Sequence, residues 1–249
     1  MNISKEKIKL IACDLDGTLL NDKKEIGNYT KEILNKLIND YKIELILSSG
    51  RGFDGVKKYN DVLGNNNYSI IMNGSNIVDN NGKILYRKSL EEDISKIVIK
   101  LAEKYDVCVH FFNDLQYTVS RDDFYIKSYI QIEKTREITV GIENIKYYKF
   151  DKIIIFGDRE TLNKLKIDID SNLDVNCCFS GDTLLEVMCK GVSKGNALKW
   201  ICDNKGISSD NIVAFGDNFN DIEMIEYAGV GVVMHNAEDE LKQKADYIT

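Results

Sequence analysis

The sequence predicts an α/β fold, a Rossmann-like parallel-sheet core domain with an α+β cap domain inserted into it. Three observations carry this reading. Short apolar runs in the outer parts of the chain stop abruptly at polar residues, helical periodicity separates those runs, and the middle of the chain changes to a pattern of closely spaced strands and helices. Residues 8–13 before Asp14, 43–47 before Ser48, 69–72 before Asn73 and 212–215 before Gly216 read as buried parallel strands, since a strand covered on both faces is apolar almost throughout. Between the first two, residues 26–40 carry Leu34, Leu37 and Ile38 at helical spacing, which completes a β-α-β unit of right-handed crossover. Downstream, Ser193 precedes a stretch with Leu198, Ile201 and Cys202 on one helical face, and a further helix is expected over 221–227. The core is therefore assigned to residues 1–83 and 188–249. The insertion, 84–187, is read as helix 93–105, strands 107–112, 117–120 and 153–156, helix 160–169, and closing strands 176–180 and 184–188.

Composition narrows the function. A chain of 249 residues that is 43% hydrophobic is long enough for a large core plus a smaller one. Its net charge of −7, with lysines interleaved among acidic residues, argues against a nucleic-acid partner, because phosphate-backbone binding needs a basic patch. Residues 1–9 lack the apolar core of a signal peptide, and no apolar run approaches the roughly 20 residues that span a bilayer. A cytoplasmic protein with no membrane partner, a monomer or weak homo-oligomer, is expected. Six cysteines at irregular spacing without a CxxC, and only two histidines, speak against zinc and disulfide frameworks; the cysteines are expected to be reduced and mostly buried.

In an open parallel sheet, ligands bind beyond the carboxyl ends of the strands, so the residues following each apolar run are the candidates. Asp14-Leu15-Asp16-Gly17-Thr18 sets two carboxylates two residues apart at a strand end. Their repulsion calls for a cation or a proton between them, and Mg2+ would leave a carboxylate oxygen as a nucleophile. Ser48-Ser49-Gly50-Arg51 offers a hydroxyl and backbone N–H groups to a phosphate, although such residues are more often only a loop. Arg51 is either a phosphate clamp or half of a structural ion pair, and the sequence leaves both open. Lys194, in Lys190-Gly191-Val192-Ser193-Lys194, starts a helix, where a cation opposes the helix dipole, so an anionic neighbour is expected. Gly216-Asp217-Asn218-Phe219-Asn220-Asp221 turns Asp217 and Asp221 toward one site, with Asp217 the better metal ligand and Asp221 partly a helix cap.

In this order, each near a strand end, the four clusters resemble the motifs of the haloacid dehalogenase superfamily, and the insertion resembles that of its Cof-type, C2B-capped branch. The DxDGT and GDxxND elements, matched by residues 14–18 and 216–221, are the specific ones, and Asn73-Gly74 resembles the family's turn before the cap. The resemblance implies a Mg2+-dependent phosphatase acting on small-molecule phosphate esters, sugar phosphates foremost, through a phosphoaspartate on Asp14. It implies Asp16 as acid and base. The metal would be held by Asp14, the main-chain carbonyl of Asp16, and Asp217, with Asp221 in support; Ser49, Gly50, Lys194 and Asn220 would bind the phosphoryl group. The chain departs from the family pattern in Ser49, where threonine is more usual, and in Gly52, where proline often stands. It also stops soon after Ala245-Asp246-Tyr247, where members usually continue through a helix, so a naturally short or a truncated chain is expected. The same residues would serve a phosphomutase or phosphotransferase, or a phosphate-binding regulatory module without turnover. Tyr117, Arg121, Tyr125, Lys127 and Asp182 of the insertion are the residues to inspect for substrate contact, although ordinary cap surface or packing is the preferred reading of each.

Overall fold

The structure is a computed structural model and describes residues 8–113, 117–122 and 138–249. It divides into two compact units, Met1–Tyr86 with Ser193–Thr249, and Arg87–Val192.

The first unit is built on an eight-stranded sheet in the order Tyr247–Ile248, Val230–Val233, Ile212–Gly216, Leu10–Asp14, Glu44–Ser48, Ser69–Ile71, Asn76–Val78, Ile84–Arg87. The first six strands run parallel, and the hairpin from Ser69–Ile71 to Asn76–Val78 turns antiparallel. Register aligns Asp14 with Ser48 and Cys13 with Phe215, so the chemistry-bearing strand ends finish at one edge. Alternation follows the two-residue period of a strand. Leu10, Ala12, Ile46, Ile70, Ile212 and Ala214 share a core with Ala197, Leu198, Ile201 and Cys202 of the Lys194–Lys205 helix and with Met224. Each of the leucine, isoleucine and methionine side chains contributes about 1.5–3 kcal/mol on burial, which fixes that helix over the sheet. Its first residue, Lys194, is thereby placed beside the end of the Leu10–Asp14 strand.

Several elements differ from the expectation. The third strand stops at Ile71, and Met72–Gly74 forms a 3-10 turn in which Met72 and Asn73 both take positive φ, 50° and 54°. A helix over Phe53–Leu63, not assigned from sequence, is bounded by Gly52 and a left-handed Gly64 and buries Val56, Tyr59 and Leu63. The strands Val230–Val233 and Tyr247–Ile248 also went unassigned.

In the second unit, six strands run in the order Val175–Gly181, Leu184–Cys189, Lys152–Phe156, Cys108–Phe112, Tyr117–Val119, Ile138–Val140. Helices Glu92–Lys104 and Arg159–Asn172 pack Val98, Ile99, Ala102, Leu162, Leu165 and Ile169 into a core with Val109, Phe111, Ile153, Ile155, Leu185 and Val187. Asp158 caps the second of these helices by accepting from the Thr161 N–H. Tyr125 and Lys127 lie outside the described residues. All six cysteines are free; Cys13, Cys108 and Cys202 are buried, whereas Cys178 is exposed. No helix among the described residues is long and apolar enough to cross a membrane.

Candidate active site

At the carboxyl edge of the first unit's sheet, three carboxylates converge. Asp14, Asp217 and Asp221 each offer an oxygen within 4.8 Å of the others. Lys194 Nζ donates to Asp14 Oδ1 at 2.5 Å and to Asp221 Oδ1 at 2.7 Å, and all three of these residues are buried. The cation that sequence placed awkwardly at a helix start therefore has two anionic neighbours. Burial lowers the tendency of Lys194 to hold its proton, but Asp14 and Asp221 reverse this and hold it charged.

The carboxylates outnumber that cation. The Asp14 carboxyl is raised to about 7, first by burial, with Lys194 opposing the rise and Asp221 and Asp217 adding to it. Asp217 is raised as well, first by burial, against a hydrogen bond from Thr18 and with Asp221 adding to the rise. Three carboxylates served by one ammonium make a group that gains from a further cation. An all-oxygen donor set with an excess of negative charge fits a hard divalent ion such as Mg2+.

Backbone and neighbours hold each carboxylate in place. Gly17 has φ of 88°, and a Cβ there would overlap the Asp217 carboxylate, so only glycine allows this close approach. Asp217 Oδ1 accepts from the Thr18 hydroxyl at 2.8 Å, and Oδ2 from Asn236 Nδ2 at 3.2 Å, which also donates to the Gly17 carbonyl. Asp221 Oδ2 accepts from the backbone N–H groups of Asp217 and Asn218, both at 3.1 Å. Asp221 thus ties the loop to Lys194 while Asp217 keeps oxygen lone pairs available.

Asp16 stands apart from this group. Its carboxylate is gripped by Arg51, Nε to Oδ2 at 2.6 Å and Nη2 to Oδ1 at 2.7 Å, and by Lys24 Nζ at 2.9 Å. Burial would raise its carboxyl, but hydrogen bonds and charge from Arg51 and Lys24 outweigh that and hold it below the usual range. Of the two readings left open for Arg51, the structure contains the ion pair. The guanidinium lies 5.6 Å from the Tyr59 ring centroid, and Gly55 leaves room for its stem, since a Cβ there would sit 3.0 Å from Arg51 Cβ.

The remaining candidates line the same edge. Ser49 is buried, and its hydroxyl accepts from the Arg51 N–H at 3.2 Å. Gly50 abuts the Asn73 carboxamide, and Asn220 is exposed. Sequence reasoning missed Asn236, the reach of Thr18 to Asp217, and the pairing of Lys24 with Asp16. Asn236 and Thr18 reach Asp217 through strand order, and Lys24 meets Asp16 across eight residues of one loop, where no residue pattern marks the pair.

Comparison with known proteins finds relatives along nearly the whole chain. The haloacid dehalogenase-like hydrolase family matches residues 11–249. The chain is 31% identical to the 5-amino-6-(5-phospho-D-ribitylamino)uracil phosphatase of Bacillus subtilis (strain 168), covering 100% of this chain and 93% of that protein. It is 31% identical to the HMP-PP phosphatase of Citrobacter koseri, over 94% of this chain and 86% of that one. Among solved structures, a haloacid dehalogenase-like hydrolase from Bacteroides thetaiotaomicron superposes with a TM-score of 0.86 at 28% identity, covering 98% and 94% of the two chains.

Proposed function

The chain belongs to the haloacid dehalogenase-like hydrolases, as a phosphatase, and from that premise we propose that it hydrolyses small phosphate monoesters with Mg2+, through a phosphoaspartate on Asp14. The observation that carries this reading is the buried group in which Asp14 lies against Lys194 and within reach of Asp217 and Asp221. Asp14, Asp217 and the main-chain carbonyl of Asp16 would hold the metal, with Asp221 in support. Bound there, Mg2+ would withdraw charge from the phosphoryl oxygens and keep Asp14 ionised.

An Asp14 carboxylate oxygen attacks phosphorus in line with the ester bond. The P–O bond to the leaving alcohol breaks as the new one forms, and Asp16 supplies the alcohol's proton. Lys194, the backbone N–H of Gly50 and the amides of Asn220 offset charge on the equatorial oxygens. In the second half, water attacks the phosphoaspartate, Asp16 takes its proton, and inorganic phosphate leaves with Asp14 regenerated. Held by Arg51 and Lys24, Asp16 is a carboxylate with no proton to give, so before the first step it must leave them and take up a proton from solvent; its ion pair describes a resting arrangement.

Sugar phosphates and phosphorylated polyol chains are the proposed substrate class. The Bacillus subtilis relative supports this reading, because its name places the phosphate on a ribityl chain. The Arg87–Val192 unit is proposed as the cap that selects among such substrates.

The test is phosphate release from an aryl phosphate, with and without Mg2+, for wild type and Asp14→Asn. Expected is metal-dependent release that falls by about three orders of magnitude or more in the variant, with the fold retained. Equal rates would remove Asp14 as nucleophile. An isomeric phosphate ester in place of inorganic phosphate from a sugar phosphate would turn the reading to a mutase.

A further inference from the structure

Resting on the proposed phosphoryl site, we infer that Asn73 is a positioning residue whose buried carboxamide sets the orientation of Asn220. Asn220 is exposed within the 3-10 turn Phe219–Asp221, where a side-chain amide without a partner would rotate freely. Its Nδ2 donates to Asn73 Oδ1 at 3.0 Å. An amide nitrogen carries two hydrogens, so this bond turns the NH2 end inward and leaves the second hydrogen for a phosphoryl oxygen.

Asn73 is itself firmly held. It is buried, its N–H donates to the Ser49 carbonyl at 3.0 Å, and a Cβ on Gly50 would lie 2.9 Å from its Oδ1. It therefore joins the loop after the second core strand to the loop carrying Asn220, which lies 147 residues away along the chain. Gly74 locks the turn from the other side, because its φ is 98° and a Cβ there would overlap the Ser193 carbonyl just before Lys194. One short turn thus touches the segments that carry Ser49, Gly50, Lys194 and Asn220.

A competing account gives Asn73 a backbone role alone. Its φ of 54° lies in the left-handed region, which asparagine tolerates better than most residues. Glycine separates the two accounts, since Asn73→Gly keeps that backbone and removes only the carboxamide.

The experiment measures kcat/KM for an aryl phosphate with Mg2+ in wild type, Asn73→Gly, Asn73→Asp, Asn220→Ala, and the two combinations with Asn220→Ala. Thermal melts confirm folding. Asn73→Gly is expected to lose roughly five- to tenfold, the scale of one hydrogen bond, and Asn220→Ala to cost under about twofold more in that background. In the Asn73→Asp background, where an oxygen still accepts from residue 220, Asn220→Ala should keep its full cost whatever the added charge does to the basal rate. Should Asn73→Gly melt early, the same cycle is measured at a temperature where that variant remains folded. Wild-type rates in Asn73→Gly, or equal cost of Asn220→Ala in the wild-type and glycine backgrounds, would overturn the inference, as would loss of that cost in the aspartate background. Absence of turnover by wild type would instead strike at the phosphatase reading.

Discussion

Asp14 and Asp16 differ by two positions in the chain, yet their surroundings have opposite sign. Asp14 is buried among carboxylates, with a single ammonium against it, and its carboxyl is driven up. Asp16 is partly exposed, bound by a guanidinium and an ammonium, and its carboxyl is driven down. The turn at Gly17 and the side chains supplied by distant strands divide the pair. A surplus of negative charge suits a residue that shares a divalent cation and then attacks phosphorus. A surplus of positive charge parks the proton-transfer group as a carboxylate until substrate competes for its partners. The lesson is that residue type and spacing name the pair, whereas the neighbours assign each member its task.

The largest effect expected from breaking this contrast lies at Lys194. Lys194→Met strands the buried carboxylates of Asp14 and Asp221 without their ammonium, which costs about 3–5 kcal/mol in the metal-free protein. Chemical denaturation in EDTA measures it, and saturating Mg2+ should recover part of the loss. A variant as stable as wild type in EDTA would show that the carboxylates do not depend on Lys194.

Next comes Asp16. Asp16→Asn should lower kcat/KM, which reports phosphoryl transfer to Asp14 and not the later attack of water, by about 10²–10⁴ for an alkyl phosphate, the usual contribution of a general acid, and far less for an activated aryl phosphate, because that leaving group needs no proton. Equal loss on both substrates would deny Asp16 the acid role and leave its ion pair with Arg51 as structure only.

How far these assignments were legible depends on whether a signal is local. Asp14 and Asp217 announced themselves because each follows an apolar strand and sits in a short, specific motif. Lys194 was legible as an electrostatic anomaly at a helix start, and the structure supplies the anions that the anomaly required. Arg51 on Asp16 and Asn236 on Asp217 were not legible, for strand order rather than spacing brings them together. The Phe53–Leu63 helix escaped because two of its residues oppose helix propensity for reasons outside the helix. Gly55 clears space for the Arg51 side chain, and Asn60 donates to Ser69 at 2.8 Å and accepts from Asn65 at 2.8 Å. The turn at Met72 and Asn73 ended the third strand early, since two residues of positive φ cannot continue an extended chain.

The smallest effect is also the most direct reading of the contrast, the dependence of metal-free stability on pH. An Asp14 carboxyl near 7 in the folded protein, against about 3.9 unfolded, keeps a proton that the unfolded chain has lost. Its contribution is therefore complete below about pH 4 and declines as pH rises toward 7. Asp16 has the opposite sign. Held low in the folded protein, it stabilises above its unfolded value and loses that contribution as the solution becomes more acidic. Melting temperatures in EDTA should accordingly show a neutral limb that Asp14→Asn flattens and an acid limb that Arg51→Gln flattens, the second weaker because Asp16 is partly solvated. Saturating Mg2+ should erase the neutral limb alone, by holding Asp14 ionised in the folded state. A neutral limb that survives Asp14→Asn would assign it to Asp217, whose carboxyl is also raised. An acid limb that survives Arg51→Gln would mean that Lys24 suffices to hold Asp16.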